Sequence, residues 1–223
     1  MKEKTQVIGR LFLLVVFCVA ACSPPTENSR FPTTPPGITA IISQQSQDFD
    51  WEVTDITNDI ITTATYWKRA RVIHRKLYRG LYPIYGMEFG KSFEVDFDYK
   101  LLDQIFPLKL GNEVSFDGTL NLLEDHYQAM TVVHMRVQDT GVLQIGDIAY
   151  PVFIIKVTTS FSSGDVSDET VNTLYYSADL GLVLKSVTKG SGAQSYWRIR
   201  SIDVPTDAKP KLRRRNPSGT VMI

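Results

Sequence analysis

The sequence predicts a mainly β protein built as one curved antiparallel meander, in the form of a half-barrel or open barrel. The clearest pattern runs from Phe93 to Leu101, where apolar residues alternate with polar ones. Such alternation is typical of a strand with one buried face. After residue 113, short apolar and β-branched runs are separated by turns rich in Gly, Asp and Ser. This short spacing favours hairpins over long crossover connections.

The N-terminal segment, residues 1–21, has the composition of an export signal. A positively charged start precedes an apolar run from Leu11 to Ala21. The run is about ten residues long, whereas a membrane-spanning helix needs roughly 20. Its end, Val19-Ala20-Ala21-Cys22, resembles the lipobox of bacterial lipoproteins. This resemblance implies cleavage after residue 21, lipidation of Cys22, and attachment to a membrane through the lipid.

The rest of the chain is predicted to be one domain with a flexible segment on each side. Residues 22–37 hold the lipidated cysteine and a proline-rich tether. Ser23 resembles the neutral residue that accompanies outer-membrane sorting of Gram-negative lipoproteins, which implies an outer-membrane lipoprotein facing the periplasm. Residues 38–205 are predicted to form a single β-rich periplasmic domain, and residues 206–223 a basic disordered tail.

Composition and motifs narrow the function classes. The chain has 24 basic and 24 acidic residues, so we expect no nucleic-acid partner. No cysteine follows Cys22, which excludes disulfides and thiolate sites in the domain. Neither a G-x-S-x-G elbow nor a phosphate-binding loop is present. We therefore expect a protein that is not an enzyme and uses no cofactor, with a hydrolase acting on envelope sugar or lipid as the least favoured alternative.

Two groups of potential metal ligands occur, namely Asp125, His126 and His134, and the triplet Glu94, Asp96 and Asp98. The first group has no recognised zinc spacing. In the second, alternate residues of a strand lie roughly 6.8 Å apart, whereas oxygens sharing one calcium lie under about 5 Å from one another. We expect no metal site, and a solvated strand face at the triplet.

Residues 54–79 carry two conflicting patterns. Apolar residues recur near helical spacing, while β-branched residues favour strands. An N-terminal helix and strands therefore both stay open for this region. Its basic part is expected to be a solvated face, with lipid head groups or an acidic partner as the alternative. The candidate partner-binding residues are Arg69, Arg71, Arg75, Lys76 and Arg79.

Beyond residue 113 the predicted strands are 113–121, 129–138, 142–145, 149–161, 170–177, 182–188 and 194–204. Asp139-Thr140-Gly141 is predicted to be a turn between the second and third of these strands. Gly146-Asp147 is predicted to be a tight hairpin turn.

Two short motifs suggest a family. They are Phe106-Pro107-Leu108 with Gly111, and the segment from Tyr175 to Lys185. They resemble the FPL-x-x-G and Y-S/A-P-x-L-G-x-V-x-K motifs of poorly characterised proteobacterial envelope proteins, over roughly residues 92–204. Ala178 stands where a proline is common. The resemblance implies a periplasmic half-barrel without an established activity. Similar folds include the carriers of the outer-membrane lipoprotein pathway, which hold acyl chains on the concave side.

Aromatic residues are the remaining functional candidates. Most are expected in the core, but some would line an apolar groove if the sheet curls without closing. The candidate ligand-binding residues are Tyr82, Tyr85, Phe89, Phe93, Phe97, Tyr175 and Trp197. We therefore expect a membrane-anchored binding module for an acyl chain, another lipid or an envelope protein. The alternative is a structural accessory subunit of an envelope complex.

Overall fold

Twelve antiparallel strands close into a barrel in the computed structural model, which describes residues 31–190 and 193–205. Each strand pairs with the next one along the chain, and β1 pairs with β12 to close the sheet. The strands are β1 (Thr39–Gln44), β2 (Gln47–Thr57), β3 (Ile60–Trp67), β4 (Ala70–Tyr78), β5 (Tyr82–Glu88), β6 (Lys91–Phe97), β7 (Glu113–Leu122), β8 (Tyr127–Ile145), β9 (Ile148–Ser163), β10 (Val166–Ser177), β11 (Leu182–Gly190) and β12 (Ala193–Asp203).

This architecture confirms the predicted mainly β antiparallel meander. The sheet is closed, so the described strands leave no unpaired strand along the barrel wall. Register shifts of the β-bulge type interrupt several strand pairs, for example between Thr65 and Tyr66 and between Lys76 and Leu77. Bulges bend strands and increase their twist, which suits the curvature of a barrel wall.

Residues 54–79 form strands and not a helix. They comprise the end of β2, all of β3 and most of β4. Along β3, Ile61, Thr63 and Thr65 are buried at every second position, which is the period of a strand. The only helical residues in the described ranges are the short helix α1 (Tyr99–Leu102) and a 3₁₀ turn at Asp103–Ile105, both between β6 and β7. The described ranges contain no helix long and apolar enough to cross a membrane.

One predicted turn is wrong. Asp139 and Thr140 lie inside the long strand β8, whose ladder with β9 continues through Thr140 and Gly141 after a register shift next to Val137. The Asp139 side chain accepts a hydrogen bond from the Thr140 N–H, a local turn-like contact that the ladder accommodates. Pairing with β9 therefore overrides the turn chemistry of the sequence. The hairpin turn at Gly146-Asp147 is confirmed.

The connections alternate between the two ends of the barrel because neighbouring strands run in opposite directions. One end carries the β1–β2, β3–β4, β5–β6, β7–β8 and β9–β10 hairpins, and we call it the mouth. The other end carries the start of β1, the end of β12 and the connection through α1, and we call it the base. Phe106 and Leu108, which follow α1, are buried in the core beneath it. The base is therefore filled by side chains.

Residues 31–37, the last part of the segment predicted to be a tether, contact the base. The Phe31 ring lies 5.9 Å from the Phe106 ring and 3.6 Å from the Arg79 guanidinium carbon. The buried Thr34 hydroxyl donates a hydrogen bond to the Gly181 carbonyl over 3.1 Å. The chain thus enters the described structure at the base. Cys22, the predicted export signal and the predicted tail lie outside the described residues.

Candidate ligand-binding cavity

A cavity of about 440 Å³ lies inside the barrel and extends from the mouth to Gly80 and Leu81 in the β4–β5 connection. This volume falls within the range of roughly 300–1,000 Å³ that is usual for small-molecule sites. Every strand except β8 contributes to the wall. The cavity arises because several inward positions hold small residues, such as Thr63 and Ser186, where the base half of the barrel holds large apolar ones.

One side of the cavity wall is apolar and comes mostly from β5, β6, β7 and β9. Its members are Tyr82, Phe93, Val95, Leu120, Leu122, Val157 and Phe161. They occupy alternate positions on their strands, so their side chains all point into the barrel. This side can bury a hydrocarbon chain away from water.

The other side of the wall is polar. The strands β10 and β11 contribute Thr170, Asn172, Ser186 and Thr188. The Thr188 hydroxyl donates a hydrogen bond to the Asn172 side-chain carbonyl. Since a hydroxyl can both donate and accept, the serine and threonines can turn to suit a polar ligand group. The cavity is therefore amphipathic, with apolar and hydrogen-bonding surfaces facing one space.

An ion pair completes the polar side of the wall. Arg75 of β4 donates to Glu88 of β5 from Nε over 2.8 Å, and its Nη2 also contacts the same carboxylate oxygen. Both side chains are half-buried and line the cavity. A guanidinium has five N–H donors, so Arg75 keeps donors beyond those used by Glu88. A ligand carboxylate or phosphate could accept from them.

The structure brings three of the seven candidate aromatics together in the cavity wall, namely Tyr82, Phe93 and Trp197. Burial raises the pKa of Tyr82 to about 12, so its hydroxyl is neutral at ordinary pH. The fourth, Phe97, lies deeper in the core, stacked on Phe116 at 4.6 Å between ring centroids.

The other three candidate aromatics lie elsewhere. Tyr85 is on the outer side of the barrel, 6.0 Å from the His74 ring. Tyr175 is covered by Lys185, whose Nζ lies 4.3 Å from the ring centroid. Phe89 is in the β5–β6 turn at the mouth and is 68% exposed. None of these three lines the cavity.

The five basic candidates fall into three environments. Arg75 lies in the cavity wall, while Arg69, Arg71 and Lys76 are exposed. Arg79 is buried at the base, with its side chain only 7% exposed. These residues therefore do not form one basic face, because a strand sends alternate side chains to opposite sides.

Arg79 is the centre of a polar network that closes the base. Its Nη1 donates to Asp59 over 2.8 Å, and its Nε donates to Asp103 over 2.5 Å. The Tyr78 hydroxyl also donates to Asp103, over 3.0 Å, and burial with this contact raises the pKa of Tyr78 to about 12. The Arg79 carbonyl accepts from the buried Tyr176 hydroxyl over 2.9 Å.

The potential metal ligands are dispersed. Within residues 31–190 and 193–205, no group of three or more His, Cys, Asp and Glu side chains could hold a metal ion. His134 Nδ1 lies 2.9 Å from the Ser115 hydroxyl, and Asp125 is paired with Lys91 at 3.6 Å. Glu94 and Asp96 are exposed on β6, and Asp98 caps α1 by accepting from the Lys100 N–H.

Sequence reasoning did not select the polar members of the cavity wall. Thr63, Thr65, Asn172, Ser186 and Thr188 line the cavity. A usable signal was the threonine-rich stretch at 62–65, where Thr63 and Thr65 lie two residues apart and therefore on the same face of a strand. Arg75 was selected only for its charge, and its partner Glu88 is 13 residues away.

These features define the molecule as a closed β-barrel with a filled base and a cavity behind its mouth. No family model matches the chain, and no curated protein matches it. Among solved structures, the fold is similar to that of the hypothetical lipoprotein YmcC from Escherichia coli (K12), with a TM-score of 0.54 and 13% identity over 78% of this chain and 90% of that one. A candidate lipoprotein from Parabacteroides distasonis ATCC 8503 gives a TM-score of 0.41 and 8% identity, over 78% and 97%.

Proposed function

We propose that this protein is a membrane-anchored lipoprotein of the cell envelope whose barrel binds an elongated hydrophobic or amphipathic ligand, such as the acyl chain of a lipid. The amphipathic cavity behind the mouth is the observation that carries this proposal. The lipobox-like end of the signal at Cys22 supports the anchor, and so does the fold shared with a hypothetical lipoprotein. The proposed location is the outer membrane, with the barrel in the periplasm, where it acts by binding and not by catalysis.

The wall suggests how such a ligand would lie. Its hydrocarbon part would contact Phe93, Val95 and Val157, and its polar group would reach the hydroxyls of β10 and β11 or Arg75. Burying about ten methylene groups would gain roughly 8 kcal/mol of gross transfer free energy. Part of this gain is offset by the lost freedom of the ligand. We therefore expect dissociation constants of about 1 μM or weaker.

Filling the cavity tests the proposal. Ser186 is buried in the wall, so Ser186→Phe would place a ring in the space that the ligand needs. We expect this variant to bind dansyl-undecanoic acid at least about tenfold more weakly than the unchanged chain, since pocket contacts of this size contribute about 1–3 kcal/mol. The measurement is a fluorescence titration of the chain from Ser23 to Ile223, which lacks the acyl anchor and contains every described residue.

The matched control is Ser201→Phe, because Ser201 is exposed on β12 and does not line the cavity. It should bind the probe like the unchanged chain. The proposal would be overturned if the unchanged chain did not bind the probe, or if folded Ser186→Phe bound it as well as the control does.

Docking of an envelope protein is the second candidate function, and it is favoured by one specific observation. Exposed apolar side chains gather on the hairpins of the mouth, including Phe89 and Val166 at 68% and 67% exposure. An accessory subunit of an envelope complex could use them as a contact surface. In that case the cavity would stay empty of lipid, and the dansyl probe would not bind.

A further inference from the structure

The mouth is surrounded by exposed apolar side chains carried on its hairpins. They are Trp67, Phe89, Leu123, Tyr127 and Val166, between 40% and 68% exposed, and we call them the rim. Single exposed apolar residues are common on protein surfaces. These five are distinctive because they lie at or next to four turns of the same barrel end, the end at which the cavity lies.

Backbone contacts show that the rim turns are neighbours. The Phe89 N–H donates to the Val72 carbonyl over 2.9 Å, which ties the β5–β6 turn to β4. The Leu123 N–H donates to the Ser92 carbonyl over 3.0 Å, which ties the β7–β8 turn to β6. Strands lie about 4.8 Å apart, so neighbouring hairpins are roughly 10 Å apart. The rim from Trp67 to Leu123 is therefore one continuous arc.

The same arc carries uncompensated positive charge. Lys68 and Arg69 form the β3–β4 turn, Arg71 follows at the start of β4, and all three are exposed. The Lys68 Nζ lies 4.7 Å from the Trp67 ring centroid. None of these three cations forms an ion pair with another residue in the described ranges.

Two of the acidic side chains along this arc have cationic partners, whereas Glu124 contacts only a backbone N–H. Glu88 pairs with Arg75, and Asp125 pairs with Lys91. Glu124 accepts a hydrogen bond from the Ser92 N–H over 2.6 Å. The β3–β4 turn therefore presents net positive charge beside an exposed tryptophan and phenylalanine. That combination is suited to a negatively charged surface with an apolar layer beneath it.

We propose that the rim docks the mouth onto an anionic lipid bilayer. Trp67 and Phe89 would enter the head-group region, where aromatic residues partition favourably. Lys68, Arg69 and Arg71 would contact lipid phosphates, each contributing about fivefold to partitioning. Docking would place the cavity against the lipid, so that a ligand could pass without crossing water. That last consequence rests on the proposed ligand binding, whereas the docking itself does not.

The anchor at Cys22 is compatible with this orientation although the chain enters at the base. Residues 22–30 can span at most about 30 Å. The nine residues of β4 rise roughly 23 Å along the barrel axis, at about 3.3 Å per residue and a tilt of about 40°. The anchoring segment is thus long enough to run beside the barrel wall to the bilayer at the mouth.

The test is co-sedimentation of the unacylated chain, Ser23 to Ile223, with vesicles of phosphatidylcholine and phosphatidylglycerol. We expect the chain to bind these vesicles, and we expect added salt to weaken the binding. Binding to vesicles of phosphatidylcholine alone should be weaker. The double variants Trp67→Ser/Phe89→Ser and Lys68→Glu/Arg69→Glu should each weaken partitioning by at least about tenfold. Trp67 is the last residue of β3, the other three residues lie in turns, and all four are exposed, so circular dichroism should be unchanged.

Leu110→Ser and Lys100→Glu are the matched controls, because Leu110 is 67% exposed and both residues lie in the base connection. They should partition like the unchanged chain. The docking proposal would be overturned if the unchanged chain ignored anionic vesicles, or if the rim and control variants bound them equally. Dansyl-undecanoic acid separates the two proposals: a chain that binds the probe but not the vesicles refutes docking alone, and the reverse refutes the ligand alone.

Discussion

Arg79 shows how a single side chain can connect distant parts of the chain. Its guanidinium contacts Asp59, Asp103 and the Phe31 ring, while its carbonyl accepts from Tyr176. Removing one partner of a buried ion pair leaves the other charge uncompensated, which costs more than the pair itself contributes. Arg79 therefore stabilises the base through the contacts that it satisfies.

Arg79→Ala should lower the free energy of unfolding by about 3 kcal/mol. The cause is the loss of the cation that pairs with Asp103, whose side chain is 22% exposed and also accepts from Tyr78. Urea unfolding followed by tryptophan fluorescence measures this loss.

The control for this prediction is Lys76→Ala, because Lys76 lies in β4, three residues before Arg79. Lys76 is exposed and forms no described ion pair, so its loss should change the free energy of unfolding by less than about 0.5 kcal/mol. An Arg79→Ala loss as small as this would mean that the network does not stabilise the base.

At the residue scale, local pattern predicted some positions and missed others. Alternation correctly placed Phe93, Val95 and Phe97 of β6 inside the barrel, because a strand fixes the side on which each residue lies. The predicted strand was wrong beyond Phe97, because Asp98 caps α1 and the chain turns into that helix at Tyr99. The cluster of basic residues between Lys68 and Arg79 suggested that Arg79 lies on the surface. Its burial depends on Asp59 and Asp103, which are 20 and 24 residues away, and local pattern does not encode that distance.

At the scale of elements, two of the base turns, β4–β5 and β10–β11, are packed tightly against each other. Gly80, in the β4–β5 connection, has a φ of +62°, and a Cβ there would lie 1.9 Å from the Gly181 carbonyl oxygen. Gly181 lies in the β10–β11 turn, next to Thr34. Two turns and the entering chain thus meet where a side chain has no space.

Gly80→Ala should lower the free energy of unfolding by about 3 kcal/mol or more. It combines a left-handed backbone conformation, which costs alanine roughly 1–2 kcal/mol, with displacement of the Gly181 turn. Chemical denaturation of the purified variant measures the loss.

Gly146→Ala separates these two causes. Its φ is +57°, but a Cβ there would meet no heavy atom within 4 Å. We expect only the conformational cost of about 1 kcal/mol. If both variants lost the same free energy of unfolding, the close approach of Gly80 to Gly181 would not contribute to the effect of Gly80→Ala.

The strands and turns could be predicted where the local sequence pattern favoured a single type of secondary structure. Residues 54–79 carried two periodicities, and cross-strand pairing with β2 and β5 decided for strands. The turn chemistry of Asp139 was overridden by pairing with β9. The two motif segments meet at the base, where the Phe106 and Tyr176 rings are 6.4 Å apart. Sequence spacing did not reveal that contact.

At the scale of the whole molecule, the proposed anchor would decide where the barrel works. Cys22→Ser should abolish incorporation of an acyl label and release the protein from the membrane fraction, because the apolar run before it is too short to span a bilayer. Metabolic labelling with an alkynyl palmitate and fractionation of cells measure both effects.

Cys18→Ser is the matched control, since Cys18 lies inside the apolar run of the signal. It should keep both the label and the membrane location. An acyl label that persists in Cys22→Ser would show that Cys22 is not the lipidated residue. A label that disappears in Cys18→Ser would likewise contradict lipidation at Cys22 alone.

The meander could be predicted from the sequence, whereas its closure could not. Closure requires β1 to pair with β12, for example Thr39 with Asp203, and local alternation holds no information about such a distant pair. The cavity was equally hidden. It depends on whether inward side chains such as Thr159 and Ser186 fill the space between opposite walls. The answer depends on the combined volume of all the inward side chains of the barrel.

The closed barrel wall also affects how copies of the protein would behave when they are concentrated on a membrane surface. Lipid-attached proteins diffuse in a plane, where the local concentration of copies is large. A β protein with an open sheet would risk zipping onto its neighbours through unpaired backbone amides and carbonyls. Here β1 and β12 satisfy one another, so the described backbone presents no such template along its wall. Copies held in one membrane by the proposed anchor would therefore lie side by side without pairing edge to edge.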